Sequence, residues 1–137
     1  MMRSERLEEI LKAAADHTRL RLLNLLRLGG ICVCDLQAVL QIPQPSVSRH
    51  LAALRHAGLV TDSRKGTRMV YALVPATASP QLRALHELLD RCCPEDEQMR
   101  ADMAHFREAV AAGTCRLETE GSEVPFHEGA ELQGNPA

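Results

Sequence analysis

The sequence predicts a mainly α domain carrying a β-hairpin wing, a winged helix-turn-helix that pairs into a dimer through its first and last domain helices. Three observations predict it. Apolar residues recur at helical spacing over most of residues 7–110. A short helical stretch, a Pro-restricted turn and a Pro-opened helix follow one another over residues 35–56. Only between residues 59 and 74 does the pattern become strand-like, around a polar tip. Aromatic residues make up 2% of the 137 residues and there is no Trp, so the core must be Leu, Val, Ile and Ala, which at helical spacing pack helix on helix.

Leu7, Ile10, Leu11 and Ala14 form the stripe of a first helix, with Ser4 as its expected cap. A leucine-rich second helix, Thr18–Leu28, stops at Gly29-Gly30. Ile31-Cys32-Val33-Cys34 follows, then a short helix, Asp35–Leu40, ended ahead of Ile42-Pro43 because Pro restricts its predecessor. Pro45 can occupy the first position of the next helix, where its missing N–H costs nothing. That helix runs to His56 and closes at Gly58, with Val47, Leu51 and Leu54 inward and Ser46, Arg49, His50 and Ala53 on the other side.

Leu59–Thr61 and Thr67–Val74 are the expected strands of the hairpin, joined by Ser63-Arg64-Lys65-Gly66. After a loop from Pro75 to Pro80, Gln81–Cys92 is helical with Leu82, Leu85, Leu88 and Leu89 apolar. Cys92-Cys93-Pro94 interrupts it, and Glu95–Val110 forms a last helix with a weaker stripe. The expected division is a domain over residues 1–111 and a flexible tail over 112–137 that carries Cys115 and is rich in Gly, Glu, Ser and Pro. A chain of this length has room for one core.

The formal net charge of −2 hides an asymmetry: residues 1–74 hold 11 Lys and Arg against 6 Asp and Glu, and residues 75–137 hold 5 against 12. The basic half is the candidate polyanion surface. No stretch has the apolar core of a signal peptide or approaches the ~18 apolar residues of a membrane span, so a cytoplasmic protein with no membrane partner is expected. Five cysteines are an odd number and, in a reducing compartment, read as metal or redox ligands rather than as a disulfide framework.

A recognition helix needs a short polar face that reaches base edges, flanked by phosphate donors, and Ser46, Arg49 and His50 supply one within a turn. Gln44 stands at the helix entrance, where an amide can read adenine or contact phosphate. Arg64, Lys65 and Arg68 in the hairpin can reach the flanking backbone or minor groove. A single unit of this kind covers little DNA, so a twofold dimer on a palindromic site is expected. The first helix and the helix at 81–92 are left over as its seam, although the same stripes could serve the intrachain core.

Ile31-Cys32-Val33-Cys34-Asp35-Leu36, Pro43-Gln44-Pro45-Ser46-Val47-Ser48-Arg49-His50-Leu51 and Ala57-Gly58-Leu59-Val60 together resemble the ArsR/SmtB family of metalloregulators, over roughly residues 5–92. The resemblance implies a homodimeric winged-helix repressor that leaves operator DNA on binding its inducer. It also implies that Gln44, Ser46, Ser48, Arg49 and His50 contact double-stranded DNA, together with Arg64, Lys65 and Arg68. In the arsenic-responsive branch, Cys32 and Cys34 would bind As(III) or Sb(III) as inducer.

Residues i and i+2 of an ideal helix point about 200° apart, so Cys32 and Cys34 can meet one ion only where the segment is irregular. At the start of a helix the first can be extended and the second in the first turn. The helix dipole there is expected to lower both thiol pKa values. Drawing both sulfurs onto one ion would distort this helix, which packs on the recognition helix.

As(III) favours three sulfurs, and the resemblance departs from the arsenic pattern where a third cysteine would stand: Gln37, whose amide is a poor soft ligand. Cys92, Cys93 and Cys115 are the candidates for the third position, from either subunit, and Cys92-Cys93 could form a separate site. His86, Asp90 and His105 do not match the zinc-sensing spacing of the family. A same-fold alternative is a thiol redox or persulfide sensor, in which Cys32 or Cys34 bonds to Cys92 or Cys93. No Cys-x-x-Cys and no phosphate-cradling loop after a cysteine support a thiol enzyme, so neither catalytic residues nor a catalytic cofactor are expected. Ligand-free DNA binding with structural cysteines is the remaining reading.

Overall fold

The structure is a computed structural model that describes residues 3–118. Six helices and a small sheet follow in the order α1 (Arg3–Ala14), α2 (His17–Leu26), β1 (Ile31–Cys32), α3 (Val33–Leu40), α4 (Gln44–His56), β2 (Val60–Lys65), β3 (Arg68–Leu73), α5 (Pro80–Cys92) and α6 (Glu97–Ala111). Short 3-10 turns at Ala76–Ala78 and Cys93–Glu95 lead into α5 and α6. The expected mainly α domain with a hairpin wing is therefore what forms.

Local chemistry sets the helix ends. Asp16 accepts the Arg19 N–H and starts α2 one residue earlier than the apolar pattern suggests. Ser79 accepts the Leu82 N–H at the start of α5, and Asp96 accepts the Met99 N–H at the start of α6. Ser4 lies inside α1 rather than capping it. Pro45 is the second residue of α4, not the first, because Pro43 is the flanking residue and Gln44 already has helical geometry. The turn between α3 and α4 is made by Gln41 in the left-handed region (φ 57°), whose N–H caps the Gln37 carbonyl at 2.8 Å. At the far end of α4, Gly58 takes φ +83°, and a Cβ there would stand 2.9 Å from Arg6 Nη1, which donates to the Ala57 carbonyl.

The wing hairpin pairs β2 with β3 from Val60 opposite Leu73 to Lys65 opposite Arg68. The sheet also has a third strand that the apolar pattern did not reveal. β1 pairs antiparallel with β3, placing Cys32 opposite Val70 and Ile31 opposite Tyr71. Two residues are too few to show a period of two, so this strand is visible only through its partner.

One core joins all the helices. Leu22, Leu23, Leu25 and Leu26 of α2 are buried at its centre with Leu36 of α3, Val47, Leu51 and Leu54 of α4, Leu82 of α5 and Phe106 of α6. Truncating any of these leucines to Ala would cost about 2–5 kcal/mol. The α1 stripe is divided: Ile10, Ala13 and Ala14 are buried, whereas Leu7 and Leu11 are exposed, as is Leu88 of α5. α6 is fastened to α2 by Arg21, whose Nε and Nη2 donate to Asp102 at 2.7 and 2.9 Å, and by Asn24 Nδ2, which donates to the Met99 carbonyl at 3.0 Å. No helix among the described residues is long and apolar enough to cross a membrane.

Of the segment expected as a flexible tail, residues 112–118 are tied to the domain. Gly113 (φ +83°) ends α6, and the Thr114 and Cys115 N–H groups donate back to the Ala109 carbonyl. The chain then crosses to α3 and β1, where the Arg116 N–H donates to Asp35 Oδ2 at 2.9 Å and the Glu118 N–H to the Gly30 carbonyl at 2.8 Å. These hydrogen bonds hold the strap, together with Cys115 and Leu117, which pack partly buried against the core. Residues 119–137 lie outside the described residues.

Candidate nucleic-acid interface and thiol cluster

The polar face of α4 forms because its apolar residues, Val47, Leu51 and Leu54, are drawn into the core. Gln44, Ser48 and Arg49 are left exposed, with Ser46 and His50 half-buried beside them. His50 is engaged: its Nδ1 accepts a hydrogen bond from Arg19 Nε at 3.1 Å and lies 3.8 Å from Asp16 Oδ2. Arg64 is exposed and Lys65 half-buried at the turn of the wing, next to Gly66. At the other end of α4, Arg55 Nη1 donates to Asp62 Oδ2 at 2.8 Å and ties the helix to β2.

Arg68, expected with the wing contacts, has a different setting. Its guanidinium forms an ion pair with the buried carboxylate of Glu118 and faces the Cys32 thiol. Both partners lie on the side of the sheet where β1 joins. Glu118 and Arg19 had no sequence signal as functional residues, since each acts through a partner distant in the chain.

The cysteines divide by environment. Cys32 is buried in extended backbone (φ −77°, ψ 156°) at the residue before α3, and Cys34 is exposed in the first turn of that helix. The irregular start that the Cys-x-Cys spacing requires is therefore present. The expected low pKa does not hold for Cys32: burial pushes its thiol up, and the Asp35 N–H at the helix start lowers it only in part.

Cys115 is half-buried on the strap beside Asp35 and within Coulombic range of Cys32. Burial first, and then the Asp35 carboxylate, push its thiol up to about 11. Asp35 thus faces both thiols and caps the strap backbone. The sequence marked it only as the start of a helix.

Cys92 is exposed at the end of α5, and Cys93 is buried next to it. Burial raises the Cys93 thiol, while nearby Arg27 acts in the opposite direction. The charged neighbours of Cys93 are Arg27, Asp90 and Asp96, and those of Cys32 are Asp35 and Arg68. Different charged groups therefore act on the Cys93 and Cys32 thiols. All five cysteines are free thiols.

His86, set aside on spacing as a zinc ligand, donates from Nε2 to the Val74 carbonyl at 2.8 Å. Among the described residues no group of three or more His, Cys, Asp or Glu side chains is preassembled around an ion. Cys32, Cys34 and Cys115 nonetheless supply soft donors on two adjoining segments, which suits a thiophilic ion that gathers its ligands on binding.

Comparison with known proteins agrees with the fold. The family model described as bacterial regulatory protein, arsR family, matches residues 16–62, from the α2 cap through α4 into β2. The arsenical resistance operon repressor of Escherichia coli K12 is 40% identical over 109 residues, covering 79% of this chain and 91% of its own. The arsenic resistance transcriptional regulator ArsR1 of Pseudomonas putida KT2440 is 48% identical over 67 residues, 48% of this chain and 52% of its own, so the match spans about half of that relative. Among solved structures, the homodimeric winged helix-turn-helix DNA-binding domain Mb0332 of Mycobacterium bovis, a possible ArsR-family regulator, superposes with a TM-score of 0.56 at 28% identity, covering 69% of this chain and 83% of that one. The chain belongs to the arsR family of bacterial regulatory proteins, as a winged helix-turn-helix, DNA-binding transcriptional repressor and not an enzyme.

Proposed function

We propose that the protein represses transcription as a homodimer on a palindromic operator and is released when As(III) or Sb(III) is captured by Cys32 and Cys34. The observation that carries this reading is the placement of the two cysteines across the start of α3, one buried and extended, the other exposed in the first turn. Drawing a buried and an exposed sulfur onto one ion shifts that turn. Leu36 and Leu40 of α3 share a core with Val47 and Leu51 of α4, so a moved α3 displaces the helix that reads DNA. The names of the E. coli and P. putida relatives support the choice of inducer.

On the DNA side, Gln44, Ser46, Ser48, Arg49 and His50 enter the major groove while Arg64 and Lys65 contact flanking phosphate. Arg68 is the weakest of the proposed contacts, because it is already paired with Glu118. Exposed Leu7, Leu11 and Leu88 form the seam between subunits, in keeping with the homodimeric M. bovis neighbour.

Fluorescence anisotropy on an operator duplex recovered by in vitro selection tests the reading. Arsenite should weaken wild-type binding at least tenfold and leave Cys32→Ser and Cys34→Ser bound. Unchanged wild-type affinity in arsenite, with loss of affinity in polysulfide instead, would replace the inducer with a persulfide donor acting on the same thiols.

A further inference from the structure

We propose that Cys115, carried by the strap of the same chain, is the third sulfur of the inducer site, completing a Cys32, Cys34, Cys115 set for a trigonal oxyacid of As(III) or Sb(III). The inference rests on the inducer reading above and selects among three downstream cysteines that the sequence leaves equivalent.

Three features support it. The strap does not pass α3 by chance: two hydrogen bonds donated by its backbone, Arg116 N–H to Asp35 Oδ2 at 2.9 Å and Glu118 N–H to the Gly30 carbonyl at 2.8 Å, flank the Cys32–Cys34 segment, and Cys115 immediately precedes the first of them. The strap's starting point is set by Gly113 and by the Thr114 and Cys115 N–H groups, which both donate to the Ala109 carbonyl. Because α6 is fastened to α2 through Arg21–Asp102 and Asn24–Met99, the origin of the strap is rigid with respect to the core. Cys92 and Cys93, by contrast, sit at the α5–α6 junction, where Arg27, Asp90 and Asp96 act on the Cys93 thiol, and Asp35 does not figure there.

The chemistry balances without an oxidant. Arsenous acid exchanges three As–O bonds for three As–S bonds, and the three thiol protons leave with the three hydroxyl groups as water. Arsenic stays trivalent and no electrons move. Asp35 faces both the Cys32 and the Cys115 thiols. The site also reaches the wing, since Glu118, three residues beyond Cys115, holds Arg68 of β3. Occupancy therefore pulls on α3 and on the wing together.

Arsenic K-edge absorption on the full chain, loaded with one equivalent of arsenite in a phosphine reductant free of small thiols, counts the sulfur neighbours. The wild type and a Cys92→Ser, Cys93→Ser double variant should show three sulfurs. Cys115→Ser should show two sulfurs and one oxygen, and should need at least tenfold more arsenite to leave the operator duplex, with circular dichroism confirming an intact fold. Three sulfurs in Cys115→Ser, or a loss of one sulfur in the Cys92, Cys93 variant, would overturn the assignment while leaving the inducer reading standing. A wild type with no arsenic–sulfur neighbours would overturn both. A heterodimer of Cys32→Ser, Cys34→Ser with Cys115→Ser separates donation within a chain from donation across the dimer: a three-sulfur site formed in it would overturn the same-chain placement.

Discussion

Arg19 Nε donates to His50 Nδ1 across 3.1 Å, so a side chain of α2 holds a side chain of the recognition helix. With Nδ1 accepting, Nε2 is the ring nitrogen left to donate, the polarity that a phosphate or a purine N7 requires. Arg19→Ala removes that orientation at a cost of about 1 kcal/mol, equivalent to roughly a fivefold loss of operator affinity. Anisotropy titration checks it, and unchanged affinity would place His50 outside the interface.

The wing and the helix should separate in their response to salt. Arg64→Ala and Lys65→Ala each remove a cation from the phosphate backbone, so each should lower the slope of log affinity against log salt by about one unit, with little effect on sequence preference. Arg49→Ala, on the exposed face of α4, should relax discrimination at one base position by about 1–3 kcal/mol. Arg68→Ala should change the slope less than Arg64→Ala, because its charge is already offset by Glu118. Titrations at several salt concentrations on matched and mismatched duplexes measure all four.

Leu7 and Leu11 are 45% and 54% exposed and Leu88 is 54% exposed, although all three lie on stripes that otherwise face the core. Leu11→Glu with Leu88→Glu should therefore leave the fold intact and shift sedimentation from dimer to monomer, with operator affinity falling in step. A variant that remains dimeric would move the seam elsewhere.

The thiols should alkylate in an order set by exposure and charge. Cys34 and Cys92 are exposed and should react first, and buried Cys32 and Cys93 last. Cys115, held protonated to about 11, should react slowly at neutral pH and keep accelerating up to that value. A thiol raised from 9.0 in the unfolded chain to about 11 when folded contributes stability that is complete below pH 9 and is lost as the pH rises from there to about 11. Iodoacetamide labelling followed by peptide mass spectrometry, and urea melts between pH 8 and pH 11, read the two effects.

The DNA-reading element was legible from local patterns. The inward set Val47, Leu51 and Leu54 follows from spacing alone, and a helix with one buried face must present the residues between. The same reasoning left α1 open between dimer seam and intrachain core, and the stripe divides, with Ile10 buried while Leu7 and Leu11 stay exposed: periodicity tells that a stripe is apolar, not which body covers it. It also missed β1, which exists only because β3 runs beside it, and it expected a low pKa at Cys32, where burial outweighs the helix start.

What the sequence by itself determined is the helical periods, the Pro- and Gly-marked ends, the basic character of the first half and the pairing of Cys32 with Cys34 at a helix start, all properties of neighbours along the chain. Only the tertiary structure decided which distant groups meet. Arg68 turns to Glu118, His50 to Arg19, and Cys115 rather than Cys92 or Cys93 is brought to Asp35, 80 residues earlier. The physical reason is that these meetings rest on side-chain hydrogen bonds and ion pairs across the fold, which carry no period and leave no signature in local composition.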